Sequence, residues 1–289
     1  MPRISYINGR YLHHRDALVH MEDRGYQFSD GVYEVMAFYN RHLLDETLHM
    51  KRLQRSLREL NIALPMSGKA LALVMQELIA ANDRTDGTLY IQISRGVAKR
   101  DHPFPAAVKP SIAMAVTGPK TPKEKEVKKG VSVVTVREQR WARRDIKSIS
   151  LLANVLAKQE ATAAGAREAW LVDGKGMVSE GAVSNNAIVN AKGEIITHPA
   201  DQNILGGITR DVVLTLARKA ELKVMERPFS LQEAFAAKEA FLTSTTSNIL
   251  PVVRIDGNMV ADGNPGPVTL KLLALYHTHI AKETGKKWN

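Results

Sequence analysis

The chain has 289 residues, a formal net charge of +10 and no cysteine. That length admits two domains with cores of their own, and the absent thiols exclude disulfides and any thiolate nucleophile or metal ligand. A surplus of cations suits nucleic acid or another acidic surface, but the densest basic runs, residues 123–129 and Lys286-Lys287, fall in a linker and a tail, so no nucleic-acid partner is expected. No stretch of about 18 apolar residues occurs, and the start Met1-Pro2-Arg3 lacks the apolar centre of a signal peptide, so no membrane partner is expected and a cytoplasmic location is.

In chain order, residues 4–11 and 32–44 predict strands and turns, 47–60 and 69–81 helices, and 89–93 and 112–116 further strands. This first stretch, residues 1–118, reads as a small N-terminal α/β domain. Gly118-Pro119-Lys120-Thr121-Pro122 and the mixed charge after it carry punctuation without an apolar period, which marks 119–130 as a linker. Residues 131–289 form a larger second domain: a strand at 131–136, a buried Ala/Leu-rich helix over 149–157, hairpins around Asp173-Gly174 and Lys192-Gly193, and helices starting at Thr209 and Val268. The class is therefore α+β.

Several side chains stand out as chemistry. Lys147 lies at a strand-to-helix junction, and to attack a carbonyl it must lose its proton from an unperturbed pKa of about 10.4, with Arg143 and Arg144 nearby in sequence. Glu180 ends a hairpin strand and is followed by the small residues Gly181 and Ala182, which let a flat ligand approach the backbone. Gly206-Gly207-Ile208-Thr209 opens an amphipathic helix, whose unpaired N–H groups and dipole favour an anion. The hydroxyl run through Ser244 and Thr245, at the end of an apolar strand, suits phosphate as well, and His49 and Arg52 share one face of an early helix, within reach of Glu34. His277 and His279 are two apart on a predicted helix and His13-His14 sit by an exposed hairpin, so no metal site is expected.

Together with Glu22-Asp23-Arg24-Gly25-Tyr26-Gln27-Phe28-Ser29-Asp30-Gly31-Val32-Tyr33-Glu34 and Ser94-Arg95-Gly96-Val97-Ala98-Lys99-Arg100-Asp101-His102, these stretches resemble the fold-type IV pyridoxal-phosphate enzymes nearly end to end. The resemblance is closest to the D-amino acid (D-alanine) aminotransferases, ahead of the branched-chain L-aminotransferases and aminodeoxychorismate lyases of the same fold. It implies a small N-terminal α/β domain and a larger C-terminal domain with a β-barrel-like core. It also implies pyridoxal 5'-phosphate as cofactor, and ping-pong transfer of an amino group between D-amino acids such as D-alanine or D-glutamate and 2-oxo acids such as pyruvate or 2-oxoglutarate.

The same resemblance implies the residue roles. Lys147 carries the cofactor as a Schiff base and then moves the α proton, while Glu180 pairs with the pyridinium nitrogen. Arg52, Ile208, Thr209, Ser244 and Thr245 hold the phosphate. Tyr33, Arg100 and His102 trap the substrate α-carboxylate, with Arg100 and His102 supplied by the partner of a homodimer. Ala182 and Val183 stand where that family carries further small hydroxyl residues, which bears on the shape of the substrate pocket.

Overall fold

Every second side chain of Ser111–Thr117 is buried, namely Ile112, Met114 and Val116, and that period of two sets one face of a sheet against a core. The computed structural model describes residues 3–120, 122 and 124–287. It falls into two units: the described residues up to Lys120, Ile146–Ser150 and those from Ile280 onward form the first, and residues 122–145 with Leu151–His279 form the second.

In the first unit the elements are β1 (Ile4–Ile7), β2 (Arg10–His13), α1 (Arg24–Phe28), β3 (Gly31–Tyr39), β4 (His42–Leu43), α2 (Glu46–Glu59), α3 (Gly68–Ala81), β5 (Gly87–Ser94) and β6 (Ser111–Thr117). The six strands pair antiparallel in the order β2-β1-β6-β5-β3-β4. Leu53 and Leu57 from α2, with Leu71, Met75 and Leu78 from α3, pack on Met36, Phe38, Leu89, Ile91 and Ile93 of the sheet. The Ser67 hydroxyl starts α3 by accepting the Ala70 N–H at 3.2 Å.

The second unit contains α4 (Glu124–Lys129), β7 (Val131–Arg137), α5 (Leu152–Ala163), β8 (Glu168–Val172), β9 (Met177–Gly181), β10 (Asn185–Val189), β11 (Ile195–Thr197), α6 (Ile208–Lys219), β12 (Val224–Glu226), β13 (Phe229–Ser230), α7 (Leu231–Phe235), β14 (Glu239–Ser244), β15 (Asn248–Ile255) and β16 (Asn258–Met259). A last helix, α8 (Pro267–Thr284), starts in the second unit and ends in the first. Ten strands make one mixed sheet ordered β12-β11-β10-β14-β15-β7-β8-β9-β13, with β16 on β15 and β7 parallel to both its neighbours. The sheet curls about Trp170, Ile188, Phe229, Leu242 and Leu250, all buried, which is the barrel-like core expected of an α+β chain of this kind. No helix of the described residues is long and apolar enough to cross a membrane.

Two local expectations change. The stretch 119–130 contains the short helix α4, whose Glu124 and Lys128 pair at i,i+4 on a face with no buried residue. The helix expected over 149–157 begins only at Leu152, and it is not buried as its composition suggested. Ala157 and Ala161 face inward because their small side chains allow close approach to the sheet, while Leu152, Val155 and Leu156 point outward at 72 %, 59 % and 54 % exposure. Residues 146–150, freed from that helix, lie beside β3 and bridge it at Ser148 and Val32.

Candidate active site

Lys147 is held by its backbone. Its carbonyl accepts the Tyr33 N–H at 3.0 Å, its N–H donates to Ser56 Oγ at 3.2 Å, Ser148 bridges Val32, and the Ile149 N–H reaches the Gly31 carbonyl at 3.1 Å. With Ile146 in the core, the segment has no slack, and the half-buried Lys147 side chain leaves it in one direction. Nζ lies 4.2 Å from the centroid of the Tyr33 ring and makes no ion pair among the described residues. Tyr33 is backed by Tyr90 on the neighbouring strand, ring centroids 5.9 Å apart, and the Tyr90 hydroxyl donates to Gln92 at 2.6 Å. Burial, with Tyr33 beside it, pushes the Tyr90 phenol up to about 12, so it stays a donor. The arginines expected to act on Lys147 by charge are each engaged with a carboxylate, Arg143 with Asp145 and Arg144 with Glu138.

On β3 and α2 the same unit buries an ion cluster. Glu34 is fully enclosed; it accepts Arg52 Nε at 2.7 Å and Nη2 at 2.8 Å, and His49 Nδ1 at 2.8 Å. Burial pushes the Glu34 carboxyl up, but the charge and hydrogen bonds of Arg52, with His49 behind them, outweigh it and bring the pKa down to about 2. Burial lowers His49, so the ring is neutral and its Nδ1–H is the donor to the Glu34 carboxylate. His49 and Arg52 meet Glu34 as their spacing on one helix face implied.

After β5, Arg100 and His102 lie on an exposed loop and converge on one ring: the Arg100 guanidinium is 5.3 Å from the Phe28 centroid and the His102 ring 5.4 Å from it.

In the second unit Glu180 closes β9 with its side chain buried. Its carboxylate accepts Arg140 Nη1 at 2.5 Å, Asn185 Nδ2 at 2.9 Å and the Leu205 N–H at 3.1 and 3.2 Å to its two oxygens. These three donors leave one of about four lone-pair sites for a further N–H. Asn185 reaches Glu180 because the Gly181–Ser184 turn, closed by the Gly181 N–H to the Ser184 carbonyl at 2.8 Å, starts β10 beside the end of β9. Arg140 is shared with Glu138 at 2.6 Å. Burial pushes the Glu180 carboxyl above the usual carboxylate range, and Arg140 only partly offsets this because Glu138 claims the same cation.

Gly207 caps α6 without a side chain, and the Ile208 and Thr209 N–H groups stand in the first turn. A Cβ on Gly207 would collide with the Asn185 amide oxygen, so only glycine lets this helix end approach the Glu180 group. α6 packs on β14, whose end at Ser244 enters a turn of half-buried hydroxyls, with the Ser247 N–H donating to Ser244 Oγ at 3.0 Å.

Residues 31–255 match the family described as Amino-transferase class IV. The sequence is 42 % identical to the D-alanine aminotransferase of Bacillus licheniformis over 97 % of this chain and 98 % of that protein. The chain belongs to the class IV aminotransferases. Among solved class IV relatives, the branched-chain amino acid aminotransferase of Escherichia coli shares 25 % identity with a TM-score of 0.91 over 100 % of this chain and 98 % of that one. A second branched-chain amino acid aminotransferase, from the organism abbreviated T.th. and solved with pyridoxamine 5'-phosphate, gives 0.88 at 25 % identity over 99 % and 96 %.

The residues present fit pyridoxal 5'-phosphate as the class IV cofactor. Among the described residues, a lysine amine without an ion-pair partner, a buried carboxylate with one acceptor site to spare, and a glycine-capped helix end near a hydroxyl turn are the groups that an aldehyde, a ring nitrogen and a phosphate require. Reading the sequence left out three residues that contact the candidate side chains: Arg140 and Asn185 on Glu180, and Tyr90 beside Tyr33. Arg140 had a local signal, since it lies two residues from Glu138, with which it pairs, and Asn185 is carried to Glu180 by the Gly181–Ser184 turn, whereas Tyr90 acquires its role only through strand pairing.

Proposed function

We propose that this chain is a pyridoxal-phosphate-dependent D-amino acid transaminase, moving the amino group between D-alanine or D-glutamate and a 2-oxo acid such as pyruvate or 2-oxoglutarate. The observation that carries the substrate class is the 42 % identity, over 97 % of the chain, to a protein named D-alanine aminotransferase. The Arg100 and His102 pair over Phe28 supplies the donors that an α-carboxylate needs.

When bound, the cofactor offers an aldehyde for imine formation and a ring that takes up negative charge from the α carbon. Lys147 would hold that aldehyde through its amine and, when the substrate amine releases it, its Nζ would serve as the base that takes up and returns the α proton. The hydrogen bonds of 146–149 fix the backbone from which the Lys147 side chain extends. Glu180 accepts the ring N–H with its remaining lone pair, and Arg140, Asn185 and Leu205 hold the carboxylate in place for it. Arg52, the Ile208 and Thr209 N–H groups and the hydroxyls of Ser244 and Thr245 hold the phosphate. Tyr33, Arg100 and His102 bind the α-carboxylate, and so decide which α substituent faces Lys147.

The assembly we assign is a homodimer in which Arg100 and His102 serve the partner. The outward stripe Leu152, Val155 and Leu156, with Val183 at 60 % exposure, is the apolar surface a second copy would cover. Leu156→Glu should shift the protein to monomer in sedimentation; a variant that stays dimeric would remove that stripe from the interface.

The decisive experiment adds D-alanine, then separately L-leucine, to the yellow holoenzyme without any oxo acid. Loss of the visible band with D-alanine alone is expected. Loss with L-leucine alone would assign the chain to the branched-chain L-enzymes. Lys147→Ala should lose turnover by a factor on the order of 10³ or more and retain no cofactor after borohydride reduction.

A further inference from the structure

Three charged residues outside the roles above converge under the loop that carries Arg100 and His102. Asp30 accepts Arg24 Nε at 2.8 Å and Arg95 Nε at 2.7 Å on one oxygen, and Arg95 Nη2 at 3.0 Å on the other. All three side chains are close to fully buried, at 4 %, 11 % and 7 % exposure for Arg24, Asp30 and Arg95. We propose that Arg24, Asp30 and Arg95 are positioning residues for substrate binding: they hold the 97–104 loop so that Arg100 and His102 stand ready for the substrate α-carboxylate. The proposal rests on the assignment of Arg100 and His102 as the carboxylate trap.

Two guanidiniums on one carboxylate leave a surplus of donors, and those donors go to the loop. Arg24 Nη1 reaches the Asp101 carbonyl at 2.5 Å and Nη2 the His102 carbonyl at 3.2 Å, so one fork grips the two peptides that flank His102. Arg95 spends its remaining N–H groups on the Leu60 and Asn61 carbonyls, at 2.7 and 3.1 Å, and so ties the triad to the end of α2. Burial pushes the Asp30 carboxyl up, but the hydrogen bonds and charges of Arg95 and Arg24 overcome it and hold it below its ordinary value, so the triad stays ionised.

Two aromatic rings complete the clamp. Phe28, at the end of α1, has Arg24 at 4.8 Å from its centroid as well as Arg100 and His102, and Phe104 at the far end of the loop lies 3.5 Å under Arg95. The loop entrance is set by Gly96, whose φ of +111° and crowding against the Lys109 carbonyl admit no side chain, and whose own carbonyl accepts the Arg24 N–H at 2.9 Å. Arg100 and His102 are exposed, long or rotatable donors that would lose much freedom on binding a ligand. A preset loop lowers that loss.

The test measures KM and kcat for D-alanine, and the dissociation constant of propanoate, which has the carboxylate but no amine, on holoenzyme carrying Arg24→Lys, Phe28→Leu, Arg100→Ala or Arg24→Lys with Arg100→Ala. Lysine keeps the charge of Arg24 but cannot grip Asp30 and two carbonyls at once. The expected result is that Arg24→Lys and Phe28→Leu each raise KM and weaken propanoate by roughly tenfold or more, with kcat changed far less and the melting temperature close to wild type. The double variant should lose less than the sum of the two single losses, because Arg24 then acts only through His102. Propanoate bound normally by Arg100→Ala would overturn the carboxylate-trap assignment and the proposal with it. Propanoate weakened by Arg100→Ala but bound normally by both Arg24→Lys and Phe28→Leu would overturn the positioning role and leave the trap standing. Additive losses in the double variant would also overturn it.

Discussion

Glu34 in the first unit and Glu180 in the second are both almost completely enclosed, and burial raises both, yet their surroundings send the two carboxyls in opposite directions. Glu34 faces two donors of the Arg52 guanidinium and a neutral His49 N–H, so its environment is built for the anion and its pKa falls to about 2. Glu180 has as its cation an arginine that Glu138 already engages, so burial prevails and the pKa rises. The lesson is that depth of burial alone does not decide the charge state of a carboxylate; the number of positive charges it has to itself does. Glu34 has its charge balanced within the protein by Arg52. Glu180 shares its cation with Glu138, so a cationic N–H from a ligand would supply the charge it lacks, the property expected of a group that serves a ligand.

The largest effect that would sharpen this comparison is on turnover. Glu180→Gln should reduce kcat by a factor on the order of 10² to 10³ because an amide cannot hold the ring proton, while the folded protein persists; single-turnover absorbance with D-alanine reads it. The same change at Glu34 should strike stability instead. Glu34→Gln strands the buried Arg52 charge and should cost roughly 3 to 5 kcal/mol in urea unfolding. Equal stability losses in the two variants would break the comparison.

Acid should separate the two sites next. With a folded pKa near 2 against an ordinary 4.5, Glu34 contributes stability that is present above 4.5 and lost as the pH falls toward 2, a change of roughly 3 kcal/mol. Unfolding midpoints measured from pH 6 to pH 2 should fall in the wild type and hold much flatter in Glu34→Gln. Glu180 has the opposite sign: its raised pKa favours the folded state below 4.5, and that contribution is lost as the pH climbs through the raised value. Cofactor-free Glu180→Gln should therefore melt at or slightly above the wild-type temperature at pH 8, with the difference shrinking toward pH 4.

The smallest effect is expected at Asn185, which ties Glu180 to the Leu205 carbonyl at 2.8 Å. Asn185→Ala should cost about 1 to 2 kcal/mol of stability and lower cofactor affinity, read by the concentration of pyridoxal phosphate needed to restore the band. Unchanged affinity would show that Arg140 and Leu205 suffice to orient the carboxylate.

Much of the architecture was legible along the chain because its signals are short-ranged. The alternation in 111–117, the helical spacing of Leu53 and Leu57, and the Asp-Gly and Lys-Gly turns each depend on neighbours a few residues away. The helix after Lys147 was misread for a related reason. An Ala/Leu composition says that a helix forms but not which face is inward, and here the alanines won the sheet because they allow closer approach. The short α1 and α4 carry too few residues for a period to show.

The residue types at Lys147, Glu180, Arg52, Gly206-Gly207 and Ser244-Thr245 were set by the sequence alone, and with them the class of chemistry, because an amine, a carboxylate and anion-binding groups are covalent properties of the chain. Which carboxylate is locked and which is available was decided only in three dimensions. Arg140 lies 40 residues from Glu180, and Arg24 lies 77 and 78 residues from the carbonyls it grips, so neither pairing has a local signal. The protonation of a buried group depends on every charge and dipole around it, and strand pairing is what brings those charges to the same few ångströms.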